Sequence, residues 1–337
     1  MSNPAPATPS PASEYGARFR VWNWRRALMP TGNRGDAVFR TLLFLAALAV
    51  LLIVGAMIAA TASASVPSMR EFGFGFLTGR EWNPIQGRFG ALPFIYGTVM
   101  SSAVALAISV PLSLGVAVFL VEQAPRRLAR PVTFLVELLA AIPSVVYGLW
   151  GIFVLAPALR DYVKPPLQKL FGWVPLFQGP VETGTGLLTA GVILAIMITP
   201  IISAVVRDVL AAVPDSQREA ALALGATKWE TTRVVLANGG PGIAGAIILG
   251  LGRAIGETMA VTMLIGNRAQ ISASLFEPSY TIASVLANEF AEASDELFLS
   301  ALVQLGLILF LVTFLINGAA RLLVWSVTRG TSGTARA

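Results

Sequence analysis

Residues 89–121 read FGALPFIYGTVMSSAVALAISVPLSLGVAVFLV and contain no charged side chain. An α-helix needs about 20 apolar residues to cross the hydrocarbon core of a bilayer, and this stretch is longer than that. Its apolar residues run on continuously, whereas the strands of a membrane β-barrel alternate apolar and polar side chains. The stretch therefore predicts a membrane-spanning helix.

Five further stretches have the same character. Residues 41–69, 183–206 and 297–320 carry no charge, residues 131–159 carry one, and residues 234–267 carry two. Each is long enough to cross a bilayer as a helix. We therefore predict an all-α integral membrane protein with six transmembrane helices, at about residues 41–63, 93–121, 132–156, 186–208, 239–266 and 297–325.

The composition agrees with a membrane protein and excludes much chemistry. Charged residues make up 12% of the 337 residues, against about 25% in an ordinary soluble domain. The chain has no Cys and no His, which excludes disulfides, thiolate nucleophiles, Ser-His-Asp triads and metal sites built from Cys or His. No segment fits the G-x-x-x-x-G-K-[ST] phosphate loop. We therefore expect neither an ATP site nor a catalytic constellation in this chain.

The Lys and Arg residues fall mainly on one side of the predicted membrane. With the N-terminus inside, sixteen of the 24 occur in inner tails and loops, seven in outer loops and one within a span. Because cytoplasmic loops carry the excess of Lys and Arg, both termini are predicted to be cytoplasmic. The same bias accounts for the net charge of +6, so we expect no nucleic-acid partner.

These boundaries predict three parts. Residues 1–36 form a largely disordered cytoplasmic tail, because residues 3–13 are almost wholly Pro, Ala, Ser and Thr and cannot build a core. Residues 37–328 form the transmembrane domain, with a cytoplasmic loop at 211–238 between the fourth and fifth helices. Residues 329–337 form a second cytoplasmic tail.

The loop between the fourth and fifth helices contains residues 213–230, VPDSQREAALALGATKWE. Ser216 with Glu219, and Thr227 with Glu230, each have the spacing of a capping box, and Gly225 suits a left-handed corner between two short helices. Ala220, Ala221 and Leu224 then share one side of the first helix. Such a small apolar surface suits docking into a groove of another protein. An amphipathic loop resting on the membrane is the alternative.

Glu219, Ala220 and Ala221, followed after three residues by Gly225, resemble the EAA motif of ABC-importer permeases. The resemblance implies that this loop is a coupling helix that docks on an ATPase subunit. The family usually continues with I-x-L-P, whereas residues 234–237 read VVLA and lack the proline.

Two further segments narrow the resemblance. Residues 137–148, ELLAAIPSVVYG, and residues 250–260, GLGRAIGETMA, are similar to the third-span and fifth-span signatures of phosphate-specific permease subunits of the PstC type. The resemblance covers residues 34–326 and implies the type I ABC-importer permease fold and a bacterial plasma (inner) membrane location. It also implies a complex in which this chain, without a cofactor of its own, moves inorganic phosphate. The partners would be a sister permease of the PstA type, two ATPase copies that bind ATP and Mg, membrane lipid and an extracytoplasmic phosphate-binding protein.

The charges within the spans are the candidate pathway residues. Arg253 and Glu257 are four residues apart and can pair on one helix face, and an Arg fork matches two oxygens of a phosphate group. Arg253 would then face the pathway; alternatively, the two merely neutralise each other. Glu137 could pair with Arg253 or with the sister subunit, or lie at the cytoplasmic membrane surface. Ser144 and Tyr147 could line the path as hydroxyl donors, or simply pack between helices.

Two alternatives to phosphate import remain at this point. A permease of the same family could carry sulfate, molybdate or another solute, since the EAA motif is shared. A stand-alone secondary transporter or channel would need no ATPase and would not need the EAA loop.

Overall fold

The computed structural model describes residues 34–333 of the protein. Most of the predicted tail at 1–36 and the end of the predicted tail at 329–337 therefore lie outside the described residues. The chain divides into two units at Met57/Ile58. In its described part the first unit is helical throughout, and all the other elements belong to the second unit.

Five helices of the described chain are long and apolar enough to cross a membrane. They are α1 (Arg34–Ala64), α4 (Leu92–Val118), α9 (Leu187–Ala211), α11 (Lys228–Ile255) and α14 (Glu296–Gly333). A π-helical turn, Phe119–Gln123, continues α4. Residues 329–333, predicted as tail, continue α14.

The predicted third span, 132–156, is two helices rather than one. Helix α5 (Arg126–Ala140) ends before Pro143, and the chain resumes at α6 (Ser144–Trp150) after a bend of 92°. Pro143 has no N–H to donate and disfavours helical backbone at Ile142, so the helix breaks there. The two segments on either side of this bend form a sixth span if together they cross the membrane. After α6 the chain runs through two π-helical turns, Gly151–Leu155 and Leu159–Val163, which flank α7 (Ala156–Ala158), into α8 (Lys164–Phe171).

The predicted fifth span, 239–266, also differs from the structure. Helix α11 begins earlier, at Lys228, because Thr227 caps its first turn. It ends at Ile255, and α12 (Met259–Leu264) follows after three residues. Gly256, a poor helix former, lies at this break.

Shorter elements form the predicted outer side of the second unit. They are α2 (Val66–Phe72), α3 (Gly75–Thr78), the antiparallel pair β1 (Trp82–Asn83) and β2 (Arg88–Phe89), and α13 (Ile282–Glu289). Trp82 pairs with Phe89 across the strands, and both rings pack with Phe94 and Phe298 in an aromatic core. This core joins the start of α4 to the start of α14.

The main core lies between α4 and α9. Ala105 on α4 packs with Leu194, Ile198 and Ile202 on α9, and all four side chains are fully or almost fully buried. Glycines permit the close approach of the third partner, α11: a Cβ at Gly250 would lie 2.5 Å from the Ile202 side chain. Helices α4, α9 and α11 therefore pack together, and this packing supports the break between α5 and α6 and the break between α11 and α12.

Substitution of Gly97 by Ala on α4 should destabilise the fold. A Cβ at Gly97 would lie 2.8 Å from the Ser279 hydroxyl and 2.9 Å from the Tyr280 carbonyl carbon. Overpacking of this kind costs about 1–3 kcal/mol, so the apparent melting temperature of the full-length protein in detergent should fall by about 3 °C or more.

Gly115→Ala is the matched control, because Gly115 lies on the same helix and a Cβ added there would have nothing within 4 Å. Equal melting temperatures for the two variants would contradict the close approach at Gly97.

Candidate functional site

Arg253 and Glu257 form an ion pair at the break between α11 and α12. The Arg253 Nη2 lies 3.1 Å from the Glu257 Oε2. Arg253 is in the last turn of α11, and Glu257 is in the three-residue connection. The predicted pairing is therefore confirmed, although the two residues do not share one continuous helix.

The two partners differ sharply in exposure. The Arg253 side chain is 49% exposed and the Glu257 side chain 3% exposed. Glu257 also accepts a long hydrogen bond, 3.5 Å, from the Ala260 N–H in the first turn of α12. The carboxylate is thus held inside the protein, while about half of the Arg253 side chain stays exposed.

The two helix breaks are neighbours in space. Helix α6, which follows the first break, packs on α12, which follows the second. The contact is close because Gly148 has no side chain: a Cβ there would lie 2.5 Å from the Met263 sulfur and 3.2 Å from the Ala260 Cα. The segments 137–148 and 250–260, found separately in the sequence, therefore meet in one region.

Tyr147 supports the first break. Its side chain is buried, and its hydroxyl donates a 2.8 Å hydrogen bond to the Leu139 carbonyl in the last turn of α5. That bond adds a second donor to a carbonyl whose backbone partner, the Ile142 N–H, lies 3.4 Å away. Ser144, the first residue of α6, is half-buried. The pathway roles of both residues stay predictions.

Glu137 does not pair with Arg253. Its Oε1 lies 3.0 Å from Nη1 of Arg207 on α9, and its side chain is 52% exposed. Glu137 is on α5, before the break, whereas Arg253 is at the end of α11 next to α12. The expectation of a Glu137–Arg253 pair is therefore wrong, and Arg207 is the partner that the sequence did not indicate.

A cavity of about 490 Å³ opens beside the Glu137–Arg207 pair. Its lining is apolar except for Arg130, Thr133, Glu137 and Arg207. Among residues 34–333 no three carboxylates come together as metal ligands. That the chain holds no cofactor stays a prediction.

The loop at 211–238 forms α10 (Asp215–Ala223) and the start of α11. The predicted Ser216–Glu219 capping box is wrong, because α10 begins after Pro214 and no side chain caps it. The Thr227–Glu230 box is confirmed: the Glu230 Oε2 accepts from the Thr227 N–H at 2.7 Å, and the Thr227 hydroxyl accepts from the Glu230 N–H at 3.4 Å.

Gly225 makes the corner between the two helices. Its φ is +85°, a left-handed conformation that favours glycine, as the sequence predicts. Glu219 and Ala220 are exposed and Ala221 is partly exposed. Leu224 is 90% exposed and Trp229 68% exposed. The loop therefore presents a bulky apolar surface beside the charge of Glu219.

Comparison with known proteins identifies the family. Residues 109–329 match the family described as binding-protein-dependent transport system inner membrane component. That range covers the cavity, both helix breaks, the ion pair and the α10 loop.

Individual relatives align along most of the chain. A Mesorhizobium japonicum protein named phosphate transport system permease protein PstC is 49% identical over 87% of this chain and 90% of its own length. A Pasteurella multocida protein of the same name is 46% identical over 87% of this chain and 93% of its own. A Methanocaldococcus jannaschii protein named as a probable PstC is 36% identical over 75% and 82%. The chain therefore belongs to the family of binding-protein-dependent transport system inner membrane components, and it is a multi-pass membrane protein.

Proposed function

We propose that this chain is the permease subunit of an ATP-driven ABC importer for inorganic phosphate. The observation that carries the proposal is the extent of the likeness: proteins named for phosphate transport are 49% and 46% identical over 87% of the chain. The all-α membrane fold and the exposed apolar loop are what such a subunit requires.

Arg253 is the residue that would meet the anion. Its guanidinium is half-exposed and lies at a helix break, where the backbone of a transporter departs from regular helix around a pathway. A planar guanidinium can hold two phosphate oxygens at once. Because one of its donors is already taken by Glu257, we expect a weak, transient contact with phosphate.

Glu257 would hold Arg253 in place between transport events. Its carboxylate is buried, and the ion pair offsets the cost of burying this negative charge only while the guanidinium stays near. An arriving phosphate would compete with this carboxylate for the same guanidinium. The competition favours release of the anion, which a pathway residue must permit.

The energy for transport would come from other subunits. The exposed surface of Glu219, Ala220, Leu224 and Trp229 would dock on an ATPase that binds ATP and Mg. The proposed complex contains this chain, a sister permease, two ATPase copies and an external phosphate-binding protein in the bacterial plasma membrane, with both termini of this chain in the cytoplasm. Alternating access between the two permeases would expose the path first outside and then inside.

Arg253→Gln should reduce phosphate uptake about tenfold or more, because a hydrogen bond to a charged group is worth about 1.5–3 kcal/mol. The measurement is uptake of labelled phosphate at low external phosphate, in cells that lack other high-affinity phosphate importers and express the full complex. Sulfate and molybdate are added as competitors.

Arg88→Gln is the control, since Arg88 belongs to an exposed ion pair with Glu81 in the hairpin. Normal uptake by the Arg253 variant would remove Arg253 from the pathway. Competition by sulfate or molybdate in the wild type would reassign the substrate to a broader class of oxyanions.

Gly225→Ala should weaken attachment of the ATPase. The left-handed conformation costs a residue with a Cβ about 1–2 kcal/mol, so the corner should relax and move Leu224 away from its docking position. We expect several-fold less ATPase co-purified with the complex and a similar loss of uptake.

Gly240→Ala is the matched control, because Gly240 is in α11 with nothing within 4 Å of an added Cβ. If the Gly225 variant retained the ATPase and transported normally, the loop would not be the docking surface.

A further inference from the structure

Arg218, on the buried side of α10, makes more hydrogen bonds than any motif residue near it. Its guanidinium donates to the Glu122 Oε1 at 2.9 and 3.2 Å, to the Leu210 carbonyl at 2.9 Å and to the Val213 carbonyl at 2.7 Å. It also lies 3.1 Å from the exposed carboxylate of Asp215. Nothing in the sequence distinguishes it, since one Arg in a charged loop carries no signal by itself.

These bonds join α10 to the ends of two spans. Leu210 is in the last turn of α9, where the helix dipole favours a cation, and its carbonyl accepts from Arg218 as well as from the Val213 N–H at 3.3 Å. Glu122 lies in the π-helical turn that ends α4. Within residues 34–333, no other residue of α10 is seen to make a side-chain hydrogen bond to α4 or α9.

The Arg218–Glu122 pair is shielded from water. The Arg218 side chain is 18% exposed and that of Glu122 11% exposed, whereas the Asp215 side chain is 88% exposed. Partly buried ion pairs are screened little by salt, and removal of one partner leaves the other charge without compensation. The pair is therefore a stronger connection between α10 and the end of α4 than an ion pair exposed to water, such as Arg88–Glu81, would be.

The other side of α10 is the proposed docking surface. Glu219, Ala220 and Leu224 are exposed there, while Arg218 points to the spans. Helix α10 is linked by the chain to α9 and α11 and packs mainly on α11. In the described chain, the Arg218–Glu122 pair is its side-chain hydrogen-bond link to the turn that ends α4.

We propose that Arg218 and Glu122 are positioning residues that carry movement of the docked ATPase from α10 to α4. The inference rests on the proposed function, because it needs an ATPase at α10. Without the pair, a push on α10 reaches α4 only indirectly, through α9 and α11, which pack on α4, and the end of α4 loses its own bond to the moving element. Hydrolysis then continues while fewer cycles move phosphate.

The test is the amount of phosphate imported per ATP hydrolysed, measured on the full complex in proteoliposomes. A residue that only supports the fold would lower transport and hydrolysis together, whereas loss of a coupling link lowers their ratio. The variants are Arg218→Gln, Glu122→Gln, the double variant and Arg218→Lys. Bound ATPase is measured for each preparation.

We expect both single Gln variants to retain the ATPase and to lower the ratio about tenfold, as loss of a charged hydrogen bond would. The double variant should be no worse than either single one, since both remove the same link. The ratio for Arg218→Lys should lie between those of the wild type and the Gln variants. An ammonium can reach Glu122, but it cannot also bond both backbone carbonyls as the planar guanidinium does. Asp215→Asn is the matched control and should keep the wild-type ratio.

An unchanged ratio in the Gln variants would overturn the proposal, and so would loss of the ATPase in them with the Lys variant unaffected. If neither Gln variant accumulates in the membrane, the Lys variant provides the test. A wild-type ratio of phosphate imported to ATP hydrolysed in the Lys variant would then overturn the proposal. If the wild-type complex imports another anion instead of phosphate, the substrate assignment fails and the same ratio is measured for that anion.

Discussion

The hydrocarbon of a membrane offers no hydrogen-bond partner, so a helix that breaks within an apolar stretch must satisfy its own freed groups. The chain breaks two such stretches and resolves both locally. At the first break the Leu139 carbonyl accepts from both the Tyr147 hydroxyl and the Ile142 N–H, and at the second the Glu257 carboxylate accepts from the Ala260 N–H. Packing of α6 on α12 through Gly148 then fixes the two breaks against each other.

A charge inside an apolar stretch is costly unless it has a partner, and the second break carries such a pair. Glu257 is buried at a break, and Arg253 remains half-exposed beside it. At the opposite end of α11, the Thr227–Glu230 box begins the same helix. One helix therefore joins the proposed docking loop to the candidate pathway.

The sequence predicted the helical membrane class, the pairing of Arg253 with Glu257 and the Gly225 corner, because each depends on local composition or spacing. It did not predict the two complete breaks: Pro143 within residues 131–159 indicates a kink, whereas the chain bends there by 92°, and Gly256 carried no signal within an apolar run. The partners of Glu137 and Arg218 were also missed. Arg207 and Glu122 are distant in sequence, and only the folded chain brings these charges together.

The bare surface of the α10 loop has a consequence for biogenesis. Leu224 and Trp229 are 90% and 68% exposed, and large apolar side chains in water promote association between chains. A cell that made this subunit in excess would leave these side chains uncovered in every surplus copy. Such unpartnered copies would be prone to aggregate and would expose the loop to proteases. Synthesis of the subunits in matching amounts would therefore limit aggregation in the membrane.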